Sequence, residues 1–240
     1  MPEIKQYSLG RIPSPEDKRD YDLRCFMLAK PSGVEKIESD WEFPLSALDQ
    51  GATNHCCGFS AANWGINSPI NTLFVNDDGH RFYYQCKEIE GEPNKENGAY
   101  IRSVGKVLKA NGHLEGYAFA PDIDTIKYWL LYKGPIIAGT IWREGMFTPD
   151  ENNIIHPTGA TMGGHAYLIN EWRADNYLGI QNSWGEAWGN KGKAYISQKD
   201  FEEIFAYGGE ALAAVEIEKQ PQQIKKKCWL IEFFRDVFSS

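Results

Sequence analysis

Asn182-Ser183-Trp184-Gly185-Glu186-Ala187-Trp188-Gly189-Asn190-Lys191-Gly192 lies between two strand-like runs, Tyr177-Leu178-Gly179-Ile180-Gln181 and Ala194-Tyr195-Ile196. Its first residue therefore emerges just past the end of a strand, with a tryptophan two positions on. Upstream, Pro135 to Trp142 and His165-Ala166-Tyr167-Leu168-Ile169-Asn170 have the same apolar texture of strands. His165 opens its strand directly after Gly163-Gly164. Nearer the N-terminus the pattern changes. Cys56 to Trp64 reads as a helix of small residues with Phe59 inward. Tyr100 to Ala110 reads as a second helix, with Ile101, Val104 and Leu108 on one face and Asn111-Gly112 as its stop. Asp122 to Tyr132 reads as a third, N-capped by Asp122, with Ile123, Ile126 and Leu130 inward. Helices first and strands later predict an α+β fold of two unlike lobes.

A chain of 240 residues suffices for one domain with a full core, or for two lobes sharing a cleft. Its 25 basic and 33 acidic residues leave a net charge of −8, a field that repels nucleic acid, and no nucleic-acid motif appears. No apolar run approaches the ~18–20 residues needed to cross a bilayer, so no integral membrane segment is expected. Met1 to Tyr7 lacks the apolar centre of a secretory signal. The five cysteines, Cys25, Cys56, Cys57, Cys86 and Cys228, are odd in number and irregular in spacing. They form no CxxC pair, so neither a metal site nor a cofactor is expected. All five are expected to be free thiols of a reduced, cytoplasmic protein.

Cys56 stands where a glycine-containing loop, Asp49-Gln50-Gly51-Ala52-Thr53-Asn54-His55, enters the first helix. Unpaired N–H groups at a helix start stabilise a thiolate. A buried inert cysteine is the competing reading. A thiolate nucleophile needs an imidazole nearby as ion-pair partner and later as acid, and His165 is the candidate. Asn182, leaving a neighbouring strand, can take the other ring N–H and fix the tautomer, with Trp184 screening that bond from water. Gln50, six positions before Cys56, can turn its amide N–H toward a developing oxyanion beside the Cys56 backbone N–H.

The order Gln50, Cys56, His165, Asn182 resembles that of the papain-like cysteine peptidases. So do Phe59-Ser60-Ala61 after the nucleophile and the string Asn182 to Gly192, which is similar to the family's Asn-Ser-Trp-Gly-x-x-Trp-Gly-x-x-Gly. The resemblance covers about Trp41 to Val215. It implies a helical left lobe, a β-rich right lobe and an active-site cleft between them, and a cysteine endopeptidase acting on protein or peptide through an acyl-enzyme. It also implies that Gly98, Gly139, Gly163 and Gly164 line the substrate cleft, leaving its main pocket roomy and uncharged. Departures are Thr53 at a position that usually carries a disulfide cysteine, Asn54-His55 before the nucleophile and Cys57 after it. These fit the disulfide-poor prokaryotic and phage members, and virion association if the chain is phage-encoded. Two other functions remain open: a catalytically silent papain-like module with a binding or structural role, and an NlpC-type peptidoglycan amidase, whose motif loosely resembles His55-Cys56-Cys57-Gly58-Phe59.

Residues 1–40, with Ile12-Pro13-Ser14-Pro15 extended and Glu16 to Asp20 a solvated charge run, read as an arm packed on the body. The arm is expected to lie where it can cover the cleft. His80, His113 and His156 read as surface residues, and His55 as a neighbour of the nucleophile pointing elsewhere. The body spans 41–215. In the tail, 216–240, Trp229, Leu230, Phe233, Phe234, Val237 and Phe238 form a helical apolar stripe. That stripe has its own body, a partner protein or a second copy as candidate docking surfaces.

Overall fold

The computed structural model describes residues 7–27, 35–42 and 46–215. Its elements in chain order are β1 (Arg11–Ile12), β2 (Ser39–Asp40), α1 (Cys56–Ile66), α2 (Asn76–Ile89), β3 (Ala99–Tyr100), α3 (Ile101–Ala110) and β4 (Gly116–Phe119). There follow α4 (Ile123–Tyr132), β5 (Ile136–Arg143), β6 (Thr161–Trp172), β7 (Tyr177–Gln181), β8 (Lys193–Ser197), α5 (Gln198–Ala206) and β9 (Glu210–Val215). The helices expected from the sequence are α1, α3 and α4, and the expected strands are β5 to β8. Asp122 caps α4, its carboxylate accepting the Thr125 N–H at 2.8 Å. The tail and its apolar stripe lie outside the described residues.

The large sheet runs β4-β9-β5-β6-β7-β8, with β2 added beside β6, and every pairing in it is antiparallel. Alternation along its central strands divides the molecule into two lobes. Ile136, Ala138, Tyr167 and Ile169 enter the core of the β-rich lobe, with Trp142, Trp172, Trp184 and Trp188. Ile137, Ala166 and Leu168 point the other way, into a core with Phe59, Trp64, Phe82, Val104 and Leu108 from the helices. Strands buried on both faces have to be apolar almost throughout, which is why β5 and β6 read so clearly in the sequence.

Every residue of α1 is buried. Its small residues let other backbones approach: a side chain at Gly58 would overlap the Gly79 carbonyl of α2. Helix α2 buries Gly79, Phe82, Tyr83 and Cys86, an i, i+3, i+4, i+7 stripe. It also buries Lys87, whose Nζ donates to Glu90 Oε2 at 2.8 Å, Glu92 Oε2 at 2.9 Å and the Gly98 carbonyl at 3.0 Å. Truncating one member of a buried ion pair strands the other. Lys87→Ala is therefore expected to cost about 3–5 kcal/mol, read from the denaturant midpoint. A loss under about 1 kcal/mol would mean that this pairing is worth no more than one on the surface.

The arm is woven into both lobes. β1 pairs in parallel with β3. Leu23 is buried in the core of the β-rich lobe. In the charge run, Asp17 and Arg19 pair on the surface, as a solvated face should. Asp20 departs from that expectation: Arg102 holds it through Nε at 2.8 and 2.9 Å and Nη2 at 2.5 Å. Cys56, Cys57 and Cys86 of the body are free thiols, as expected. Cys25 of the arm is disulfide-bonded, which corrects the expectation of five free thiols. The absence of a CxxC signature argues against a zinc framework but carries no information about a single disulfide.

Candidate active site

The end of β7, the first half of β6 and the start of α1 converge; β6 begins at Thr161, so His165 lies inside the strand rather than opening it. Asn182, one residue past β7, accepts on Oδ1 from His165 Nε2 at 2.8 Å and from the Ser183 N–H at 2.8 Å. An oxygen already taking a backbone N–H can only accept, so His165 must carry its proton on Nε2 in this bond. The other ring nitrogen, Nδ1, is buried and has no hydrogen-bond partner, which leaves it to act on the thiol of Cys56. Trp184 stacks on the imidazole with ring centroids 4.5 Å apart, and Trp142 meets it edge-on at 4.8 Å. Phe147 and Trp188 close around Trp184 at 5.5 and 5.6 Å. The His165–Asn182 bond thus lies inside an aromatic box that excludes water.

Gln50 is fixed from the same loop. Its backbone N–H donates to the Ser183 carbonyl at 2.8 Å, and Ser183 Oγ donates to its Oε1 at 2.7 Å. That sets the amide, so Nε2 faces the start of α1, donating to the Thr53 carbonyl at 2.7 Å and the Ser8 carbonyl at 3.2 Å. Cys56 is the first residue of α1, so its N–H has no carbonyl one turn back. Gln50 Nε2 and the Cys56 N–H are thus the two donors that the loop and the helix start supply.

The adjacent thiols differ sharply. Burial pushes Cys56 up, but the Cys57 thiol, His165 and the Ala166 N–H together hold it well below the ordinary thiol value. Cys57 is pushed well above that value by burial and by the neighbouring Cys56. Its Sγ donates to the Ala99 carbonyl at 3.1 Å, away from the imidazole. The sign follows directly. A lowered pKa keeps Cys56 ionised as pH falls, so its alkylation by a neutral thiol reagent should stay level from pH 9 to below neutrality. An unperturbed thiol loses about tenfold per pH unit below about 8.5. A profile of that second kind at Cys56 would contradict the ion pair.

His55, the N-cap of α1, turns into the helical lobe. It stacks on Tyr83 at 3.7 Å, and its ring nitrogens meet His80 Nδ1 at 2.7 Å and Glu96 Oε2 at 2.5 Å. His80 and His113 are half-buried against aromatic rings, a correction to the surface reading, whereas His156 is exposed and pairs with Asp150. Both half-buried rings sit at the edge of the α2 face, an element absent from the sequence reading.

Gly98, Gly163 and Gly164 face the arm, and Gly139 faces both Ile101 of α3 and the arm. A side chain at Gly98 would overlap the Gly10 carbonyl, and one at Gly164 the Arg11 carbonyl. Gly98 also has φ +97°, which disfavours any other residue. An ideal Cβ at Gly139 would come within 2.7 Å of Ile101 Cγ1 and 3.0 Å of Arg11 Cγ, and one at Gly163 within 3.1 Å of Leu9 Cδ1. The space beside Gly139 is not uncharged, as the glycines suggested: Arg11 enters it and pairs with Glu210 at 2.5 Å. The carboxylate comes from β9, far away in sequence, so nothing local to the glycines announced it.

A family model described as "Papain family cysteine protease" matches residues 49–209. The chain belongs to the papain family of cysteine proteases. A cathepsin B-like cysteine proteinase of Caenorhabditis elegans is 38% identical over 80 residues, 32% of this chain and 23% of that protein. One of Ostertagia ostertagi is 28% identical over 116 residues, 46% of this chain and 66% of that protein. The matched stretch is thus about a quarter of the first relative and about two thirds of the second. Among solved structures, a cysteine protease of Xylella fastidiosa superposes with a TM-score of 0.66 at 20% identity, covering 88% of this chain and 98% of its own. A digestive procathepsin L2 of Tenebrio molitor superposes at 0.62 and 18% identity, covering 89% and 80%. The two-lobed α+β architecture is the papain-like fold.

Proposed function

We propose that this protein is a cysteine endopeptidase whose catalytic unit is the body, 41–215, with 1–40 as its arm. The observation that carries this reading is one buried line of groups: a thiol held low, an imidazole with a free Nδ1, and an amide oxygen fixing Nε2 at 2.8 Å. The Cys56 thiolate adds to a peptide carbonyl carbon, and the oxygen takes the electron pair. Gln50 Nε2 and the Cys56 N–H donate to that oxygen. The C–N bond then breaks, and His165 passes its Nδ1 proton to the leaving amine. Water, deprotonated by His165, next attacks the thioester; the acid leaves and the thiolate–imidazolium pair is restored. Asn182 holds the ring through both steps, and Trp184 keeps water off that bond. Gly98, Gly139, Gly163 and Gly164 are proposed as the walls of the substrate cleft, a role supported by their close fit around an extended segment of the chain. The disulfide-poor prokaryotic or phage affinity remains a proposal resting on Thr53, Asn54 and Cys57.

A mixed peptide library read by mass spectrometry, with Cys56→Ala as control, tests this. Cleavage of internal peptide bonds that disappears in the control is expected. Intact peptides in both would return the silent-module reading, and release of cell-wall peptides alone would favour the amidase.

A further inference from the structure

The residue before the nucleophile carries a chain of titratable groups that the acyl-transfer steps do not use. His55 is 2% exposed and caps α1, its carbonyl accepting the Phe59 N–H at 3.1 Å. Its ring reaches α2 and the loop before β3. Nδ1 meets His80 Nδ1 at 2.7 Å, and Nε2 meets Glu96 Oε2 at 2.5 Å. Glu96 Oε1 accepts from Tyr84 Oη at 3.0 Å, and the Glu96 carbonyl accepts from Asn54 Nδ2 at 2.7 Å. Side chain and backbone of Glu96 thus grip the two residues that lead into Cys56, while Gln50 Nε2 holds the other end of that loop through the Thr53 carbonyl. The titratable groups facing His55 are His80, Tyr83 and Tyr84 of α2, Glu96 of the loop and Cys56 next in the chain. His80 in turn packs on the Phe59 ring of α1.

Counting protons limits what this chain can hold. A carboxylate only accepts, so His55 donates from Nε2 to Glu96. Two ring nitrogens 2.7 Å apart have room for one hydrogen between them. With His55 neutral, His80 donates from Nδ1; with His55 charged, His80 must accept there. Either way the pair carries at most one positive charge while the contact stands. Burial holds the His55 imidazole below its ordinary value, and Glu96 offsets this only in part. Burial raises the Glu96 carboxyl, but the bonds from His55 and Tyr84 outweigh it and keep the group ionised to lower pH. The contact is therefore intact in the neutral range, and a second proton, arriving in acid, sets N–H against N–H. We propose that Glu96, His55 and His80 form a positioning clamp that holds the Cys56 N–H in place as an oxyanion donor and opens when the histidine pair takes its second proton. The clamp rests on the peptidase reading for its effect on turnover, whereas its protons can be followed without any substrate.

Two pH profiles of the full chain test it: kcat on a peptide substrate, and alkylation of Cys56 by a neutral reagent, which needs the thiolate but no oxyanion donor. Below about pH 6.5, the ordinary histidine value, wild-type kcat is expected to fall at least about threefold before alkylation loses half its rate. In His80→Gln the amide can donate to neutral His55 or, turned over, accept from charged His55. That variant should therefore move the acid limb of kcat down by at least about half a pH unit. Glu96→Ala keeps the backbone acceptor for Asn54 and should lower kcat about tenfold at neutral pH, less than the ~10²–10³ for deleting a donor outright, with alkylation unchanged. Glu96→Gln, which keeps an acceptor oxygen for His55, should recover kcat to within about threefold of wild type. An acid limb that His80→Gln does not move, or a kcat that Glu96→Ala leaves at the wild-type level, would overturn the clamp. Histidine ring NMR reads the pair without turnover: His55 and His80 should bind their protons in two steps at least about one pH unit apart. Linked steps with no peptide cleaved would keep the proton-sharing pair and remove the peptidase reading. Cleavage by a chain whose two histidines titrate independently would do the reverse.

Discussion

Cys56→Ala is expected to lower peptide hydrolysis by on the order of 10⁶-fold, the scale seen when the nucleophile of a hydrolytic triad is removed. The fold should survive, because alanine suits the first turn of a buried helix and the side chain lost is small. The informative comparison is with the adjacent residue. Cys57 is equally buried and also a thiol, but it donates to the Ala99 carbonyl, a bond that a serine hydroxyl can keep. Cys57→Ser should therefore retain activity within about tenfold of wild type, since it changes only a neighbour that helps to hold the Cys56 thiol low and not a group that touches the substrate. Composition and burial do not separate the two positions. Only the register from Gln50 and the placing of His165 do. Equal loss in both variants, with both folded, would overturn the assignment.

Gln50→Ala is the second large effect. Removing one donor to a developing oxyanion typically costs about 10²–10³ in rate. Here the amide is fixed before substrate arrives, with Oε1 taken by Ser183 Oγ at 2.7 Å. Such a donor needs no reorganisation when the carbonyl oxygen becomes charged. The loss should fall on kcat with KM little changed, because the ground-state carbonyl makes a weaker bond than the oxyanion. A kcat within about threefold of wild type would contradict the role.

The candidate catalytic groups were legible because each has a local signal. Cys56 opens a helix of small residues and Asn182 leaves a strand into a tryptophan-glycine loop. His165 was expected to open its strand; it is instead the fifth residue of β6, which begins at Thr161 and includes both glycines. The arm's path had no such signal. Ser8, Leu9 and Gly10 carry no period, and their partners lie across the cleft on Gln50, Gly163 and Gly164. Glu210 was hidden more deeply. Glu210-Ala211-Leu212-Ala213-Ala214-Val215 favours helix by propensity, yet it forms β9 because β4 and β5 offer open edges on both sides. Its salt bridge to Arg11 spans nearly the whole chain. Helix α2 is different in kind. The stripe Gly79, Phe82, Tyr83, Cys86 has helical spacing, and the segment was not read as an element from the sequence. A side chain at Gly79 would overlap the Phe59 ring of α1, so the glycine in this helix is one its packing requires.

The most direct measurement is to quench the full chain in acid during hydrolysis of a peptide ester and map the covalent acyl group. The thiolate mechanism predicts an acyl mass on Cys56 in proportion to the burst of first product. It should be absent in Cys56→Ala and present in Cys57→Ser. Acyl on Cys57, or steady hydrolysis with no acyl on any cysteine, would contradict it.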